Sequence, residues 1–221
     1  MAVGFGVADV EGFPTERFQT SQQRAIDGDD AVTTIVEPVR GWSHPEFKKF
    51  EVVHESRLYF EGRFRNEPID SVVRRYRFFV YLDADRKTAF VQATKKLWHE
   101  AFRRIEKDQH ATLTWKPREL DLIALRAKLE PRIGGGWFGD MKIAKVETAG
   151  IFGANVASSD EWERYEQLGR LSAIIIDFTF GDDDYKLMLG QDSTIVIYRD
   201  LAEAENLAFV KAILSWIATG N

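Results

Sequence analysis

Apolar and polar residues alternate over several stretches of the chain, and this period of two is typical of β-strands with one buried face. In residues 57–65, for example, Leu58, Phe60 and Phe64 are expected on one face, with the arginines and the tyrosine on the other. Further strands are predicted at residues 33–39, 72–82, 88–93, 111–115, 137–152, 171–180, 185–189 and 194–198. By contrast, residues 1–30 contain only scattered apolar positions, so we expect an irregular lead-in there.

Four stretches repeat their apolar residues with the spacing of an α-helix. The predicted helices cover residues 95–107, 117–130, 160–168 and 201–218. The first has an apolar arc opposite a basic arc, and the third follows a capping-box signal formed by Ser158 and Glu161. Strands come mostly in hairpins, and each group is followed by a helix. This order predicts the α+β class, with antiparallel or mixed sheets, arranged as one domain or as two lobes of similar size.

Composition narrows the class of protein. Of the 221 residues, 44% are hydrophobic and 29% are charged. A chain of this length and hydrophobic content can form a stable hydrophobic core without disulfides or a structural metal. The chain has no cysteine, which excludes disulfides, thiolate zinc sites and cysteine nucleophiles. No apolar run approaches the roughly 18 residues of a membrane span, and the first residues do not resemble a signal peptide. We therefore expect a soluble, cytoplasmic protein.

Charge is distributed unevenly along the chain, whose formal net charge is −5. Residues 1–39 contain 2 basic and 7 acidic side chains, residues 40–132 contain 21 and 14, and residues 133–221 contain 7 and 14. We predict an acidic N-terminal arm with a first strand, a basic α+β region and an acidic α+β region, with the glycines at 134–136 as a candidate linker. The basic segment indicates a surface for an anion such as nucleic acid, or one that packs against the acidic ends of the same chain.

A run of arginine and aromatic residues at 74–81 is typical of a sheet face that contacts phosphates and stacks on bases. Together with a neighbouring strand and the first helix, it defines the candidate nucleic-acid-binding residues: Arg57, Tyr59, Arg63, Arg65, Arg74, Arg75, Tyr76, Arg77, Lys95, Lys96 and Arg103. The glycine that an RNP1 motif requires beside the aromatics is absent, so neither DNA nor RNA is specified. The alternative is an ordinary exposed face on which arginine and glutamate pair across strands.

Asp177, Asp184 and Lys186 are the candidate catalytic residues. A carboxylate on one strand, followed by an acidic residue two positions before a lysine, is the layout of metal-dependent nucleases of the PD-(D/E)xK type. In those enzymes the carboxylates hold Mg²⁺ and the lysine orients or activates water. The same D-x-K spacing recurs at Asp85 and Lys87, and the alternative is an acidic hairpin turn.

Other motifs lack the context that their chemistry requires. The glycines of residues 134–139 fit the dinucleotide fingerprint, but they follow a predicted helix and precede a strand, which is the reverse of the required order. The four histidines lack metal-ligand spacing, so we expect surface or capping roles for them and neither a metal nor a cofactor.

The sequence therefore favours a non-catalytic protein that binds nucleic acid through its basic middle region. A second hypothesis is a subunit that binds another protein or itself, through the acidic C-terminal half and through exposed tryptophans at 42, 137 and 162. The third is the Mg-dependent nuclease. No membrane partner is expected.

Overall fold

The computed structural model describes residues 2–21, 32–85, 87–129, 132–181 and 183–219. Within these ranges there are twelve β-strands and four α-helices. The strands are β1 (Val3–Glu11), β2 (Phe18–Gln19), β3 (Thr34–Pro38), β4 (Phe47–Phe64), β5 (Glu67–Asp83), β6 (Thr88–Gln92), β7 (Thr114–Pro117), β8 (Ile133–Gly139), β9 (Ala149–Phe152), β10 (Arg170–Phe180), β11 (Asp183–Gly190) and β12 (Ile195–Ile197). The helices are α1 (Lys95–Glu106), α2 (Leu122–Leu129), α3 (Asp160–Leu168) and α4 (Glu203–Thr219).

The strand pairs with a defined register are antiparallel, and the predicted α+β class with antiparallel sheets is confirmed. The long hairpins follow from the alternation of the sequence, because a period of two buries one face of each strand. No helix in the described ranges is both long enough and apolar enough to span a membrane.

The chain forms two compact units. The first unit comprises residues 8–116, and the second comprises residues 1–7 and 117–221. The strand order is β2-β3-β4-β5-β6-β1 in the first unit and β1-β12-β11-β10-β8-β9 in the second, because β1 contributes residues to each. Residues 8–116 contain 19 basic and 18 acidic side chains, so the positive charge of the middle segment is local and does not extend over the whole unit.

In the first unit, α1 covers one face of the sheet. Its buried residues follow the spacing i, i+3, i+4 and i+7, which places them on a single stripe. These residues are Trp98, Ala101, Phe102 and Ile105. They belong to one core cluster with Phe50, Val52, Phe78 and Val80 of β4 and β5. The position of α1 therefore defines which side of the β4–β5 hairpin faces the core.

In the second unit, α4 packs against the β10–β11 hairpin. The ring centroid of Phe209 lies 5.8 Å from that of Phe178 and 4.5 Å from that of Tyr185. Both partners are buried, whereas Asp177, Asp184 and Lys186, which neighbour them in the two strands, are exposed. The solvent side of this hairpin carries the candidate catalytic residues.

Several sequence-based boundaries were wrong for identifiable reasons. The first strand is β1, not the strand at 34–38, because Val3–Glu11 is a largely buried strand that lacks a clean alternation. Residues 22–30 of the predicted lead-in lie outside the described residues. The second helix begins at Leu122, not near Pro117, because Asp121 accepts hydrogen bonds from the amides of Ile123 and Ala124.

Two further expectations in the second unit were wrong. The N-cap of α3 is Ser159, whose hydroxyl accepts a hydrogen bond from the amide of Trp162, and not Ser158. The glycines at 134–136 are not a linker, because they lie within β8, which pairs with β10 on one side and with β9 on the other. Their lack of a side chain allows close packing, and at Gly136 the neighbour that packs closely is the ring of Trp162.

We predict that Gly136→Ala lowers the free energy of unfolding by about 2 kcal/mol. A Cβ atom at this position would lie 2.5 Å from Cη2 of Trp162. The Trp162 ring is fully buried and packs edge-on against Phe138, with 5.1 Å between centroids, so it has no room to withdraw. Urea unfolding measures the loss. The control is Gly139→Ala, where nothing lies within 4 Å of the added Cβ atom, and an equal loss in both variants would contradict the packing argument.

Candidate functional site

The β4–β5 hairpin is longer than the sheet that supports it. The two strands pair with each other from Phe47 to Phe64, but β3 pairs with β4 only as far as His54. On the other side, β6 pairs with β5 only from Phe79 to Leu82. Residues 57–77, which we call the arm, therefore form a two-stranded ribbon without a third named strand in the described part of the chain.

The tip of the arm is a two-residue turn. Arg65 and Asn66 both have positive φ, at 52° and 69°, as a type I′ hairpin turn requires. Asparagine tolerates the left-handed region better than most residues, which explains why Asn66 closes the hairpin here. The turn places the exposed Arg65 at the end of the ribbon.

The strand register divides the candidate residues between two faces of the arm. We call the face covered by α1 at its base the helix face, and the other the opposite face. His54 pairs with Tyr76 on the helix face, and Arg74 follows on the same face by alternation. Arg57 pairs with Val73, and Tyr59 pairs with Ser71, on the opposite face.

A β-bulge moves Arg63 away from the face that the sequence predicted. The register shifts by one residue between Tyr59 and Gly62, and Arg63 then pairs with Pro68, a helix-face position of β5. The expectation that Arg57, Tyr59 and Arg63 share one face is therefore wrong. An inserted residue inverts the alternation of every residue beyond it, and single-strand patterns do not reveal such an insertion.

Two arginines of the opposite face pair with glutamates across the strands. Arg75 donates from Nη2 and Nε to Oε1 of Glu55, at 2.8 and 3.2 Å. Arg77 Nη1 lies 3.6 Å from Oε1 of Glu51. Burial raises the pKa of Glu55, but hydrogen bonds from Arg75 and Thr33 outweigh it and hold that pKa below its ordinary value. The arginine side chains are largely exposed, so these pairs contribute about 1 kcal/mol at most.

The described part of the arm also exposes four large apolar or aromatic side chains. Tyr59 is 74% exposed, and Leu58, Val72 and Val73 are 38%, 40% and 39% exposed. Leu58 pairs with Val72 on the helix face, whereas Val73 lies on the opposite face. Arg74 places its guanidinium 4.9 Å from the ring centroid of Tyr76, within cation–π range. Both faces therefore combine cationic and apolar groups at the same level of the ribbon.

Helix α1 adds positive charge on the helix-face side only. Lys95, Lys96 and Arg103 are exposed, on the side of α1 away from its buried stripe. Glu100 accepts a 3.5 Å hydrogen bond from the hydroxyl of Ser56, a helix-face residue at the base of the arm. His99, for which a surface or capping role was expected, instead lies half-buried with its ring 5.0 Å from that of Trp115.

A buried polar cluster lies at the root of the arm and was not predicted from the sequence. Arg104 donates to the backbone carbonyl of Thr33 at 3.3 Å and to that of Glu55, which joins α1 to β4. His54 is fully buried, and its Nδ1 lies 2.8 Å from the hydroxyl oxygen of Thr34. Burial, followed by the charge of Arg104, lowers the pKa of His54 to about 4. The expectation of a surface or capping role for this histidine was therefore wrong.

The candidate catalytic residues come together on the exposed side of the β10–β11 hairpin. Asp177 and Lys186 are direct cross-strand partners, with 3.8 Å between Nζ and Oδ1. Asp184 accepts a 2.8 Å hydrogen bond from the hydroxyl of Thr179. These four side chains and Arg132 line a shallow depression. Among the residues that the structure describes, no group of three acidic, histidine or cysteine side chains is placed to hold a metal ion, and the nuclease hypothesis stays a prediction.

The expected exposure of the tryptophans was wrong. Trp162 is fully buried in the second unit, and Trp42 and Trp137 are half-buried. Trp42 lies against Tyr81, with 5.9 Å between ring centroids, and the Trp137 ring packs edge-on against Phe152. Their aromatic surface is thus largely used in packing within each unit.

No protein-family model matches the chain, and no curated protein matches its sequence. The site must therefore be interpreted from its own geometry.

Proposed function

We propose that this protein binds nucleic acid without catalysis, through the arm and the adjoining exposed side of α1. The observation that carries the proposal is a two-stranded ribbon, extending past its neighbouring strands, with arginines on both faces and at its tip. Residues 57–77 contain six basic and three acidic side chains, although the unit as a whole is nearly neutral. The positive charge is concentrated on the part of the hairpin that extends past its neighbouring strands.

The side-chain chemistry of the arm fits phosphates. A guanidinium group donates two parallel hydrogen bonds to phosphate oxygens, and it stays charged at any physiological pH. The arginines that pair with Glu55 and Glu51 are themselves exposed, and Glu55 keeps its hydrogen bonds from Thr33, so these arginines can exchange a carboxylate for a phosphate at low cost. Tyr59, with three quarters of its surface accessible, is available to stack on a base.

Salt dependence tests this proposal. We expect the affinity for a labelled oligonucleotide to fall by about tenfold or more between roughly 50 and 200 mM salt, because each neutralised phosphate releases counterions. Fluorescence anisotropy with DNA and RNA probes, single- and double-stranded, measures the change. Absence of binding at the lower salt concentration, for every probe, would overturn the proposal.

A second candidate function is self-association or binding of a protein partner, and the exposed Leu58, Tyr59, Val72 and Val73 favour it. Arginine and tyrosine are also enriched at protein interfaces. Sedimentation of the isolated chain over a range of concentrations separates the two. A monomer that binds oligonucleotides supports the first candidate, and a dimer that does not bind them supports the second.

A further inference from the structure

We infer that the ligand is double-stranded DNA and that the arm enters its major groove. This inference rests on the proposed function and goes beyond it, because it names the form of the nucleic acid. Its basis is the division of the arginines between the two faces of the ribbon, with Arg57 on the opposite face and Arg74 and Arg63 on the helix face.

A single strand that lies on one face of the arm leaves the other face unused. The bases of a single strand stack on one side of a sheet, as on the aromatic face of an RNA-binding domain. On this arm, such a strand could contact Arg57 and Tyr59, or Arg74 and Tyr76, but not both pairs at once. The two walls of a duplex groove flank both faces of an inserted ribbon, so a duplex can contact the whole set at once.

The dimensions of the arm agree with a major groove. Side chains stand out from both faces of a two-stranded ribbon, giving a thickness of about 10 Å. The major groove of B-form DNA is about 12 Å wide and admits such a ribbon. From the Arg57–Val73 pair to the turn at Arg65 and Asn66 the ribbon runs about 24 Å, which is about two thirds of one helical turn of DNA. The major groove of double-stranded RNA is too narrow and deep for side chains to read.

The apolar residues of the arm also have a use in a groove. Leu58 and Val72 form a pair on the helix face, with Val73 on the other side at the same level. In the major groove, thymine presents a methyl group that aliphatic side chains contact, and guanine presents two acceptors that match the guanidinium fork. Exposed aliphatic groups beside arginines are what reading base edges needs, whereas binding to phosphates alone does not need them.

The experiment compares one sequence in three forms, as a labelled DNA duplex of about 20 base pairs, as one of its single strands and as the RNA duplex. We expect the DNA duplex to bind at least tenfold more tightly than the other two. Single-strand or RNA-duplex binding that equals it would overturn this inference while the proposed function stands. Binding of none of the three would overturn this inference, and absence of binding to the single-stranded RNA probe as well would overturn both.

Single-face variants test the two-face geometry directly. Arg57→Ala and Arg74→Ala remove one arginine from each face, and each is expected to weaken duplex binding by about tenfold and to lower the salt slope by about one. The control is Arg164→Ala, an equal loss of charge at an exposed position of α3 in the second unit. Thermal melting verifies that all three variants are folded. Loss of affinity from only one of the two arm variants would contradict insertion into a groove.

Discussion

Arg104→Ala is expected to lower the free energy of unfolding by about 3 kcal/mol. The guanidinium is half-buried and donates to the backbone carbonyls of Thr33 and Glu55, so its removal leaves polar groups at the arm root without that donor. It also removes the cation that faces Glu100 and Glu55. Urea unfolding followed by tryptophan fluorescence measures the loss.

The adjacent arginine provides a matched control. Arg103→Ala makes the same change one residue away, on the exposed side of α1, and we expect it to alter stability by about 0.5 kcal/mol or less. For nucleic-acid affinity we expect the reverse order: Arg103→Ala weakens binding more than Arg104→Ala does, because Arg103 is a candidate contact. Equal destabilisation by both variants would mean that Arg104 acts only through helix propensity. It would contradict a stabilising role for the buried polar cluster at the root of the arm.

Lowering the pH from 6.5 towards 4 is expected to remove about 3 kcal/mol of stability through His54. The folded state holds the pKa of His54 at about 4, against 6.5 for an exposed histidine, so the unfolded state takes up a proton first. The stabilisation is complete above pH 6.5, falls as the pH decreases and is lost once the pH passes about 4. Burial is the main cause, since the ring is fully enclosed and its Nε2 makes no hydrogen bond, with the Glu100 carboxylate 3.8 Å away.

His54→Asn isolates this contribution, because an asparagine amide can replace Nδ1 against Thr34 but does not titrate. Chemical unfolding at a series of pH values should show a steep loss in the parent chain and a flatter profile in the variant between pH 6.5 and 4. The pKa values of Glu55 and Asp108 are also held below their ordinary values, so their contributions are lost at lower pH. Parallel profiles in the two proteins would contradict the assignment to His54.

The periodicity of the sequence predicted much of the fold. The β5–β6 hairpin, α1, α3 and the meander of β10, β11 and β12 lie close to their predicted positions, because each has a clear period and polar residues at its turns. By contrast, β1 was missed because a strand buried on both faces has no alternation. The first ten residues of β4 were missed as well, since residues 47–56 mix lysine and glutamate with their apolar positions.

The candidate site was predictable only in part. Composition and alternation drew attention to the arginines and tyrosines of residues 57–77, and the structure places them on one ribbon. The bulge after Tyr59 decides which face each residue occupies, and it depends on a partner strand that a single stretch of sequence does not contain. His54 and Arg104 were missed because their importance comes from burial and from contacts with residues 20 or more positions away.

Shortening the arm tests the central claim most directly. Arg57 and Val73 are cross-strand partners, so an Asn-Gly turn joined between them removes the distal arm and keeps the register of the remaining hairpin. Anisotropy titration of the parent chain and this variant, with one labelled DNA duplex at about 50 mM salt, compares their affinities. We predict that the parent chain binds and that the shortened variant loses at least about tenfold in affinity with its thermal melting unchanged. Equal binding by the two proteins would contradict a role for the distal arm, residues 58–72.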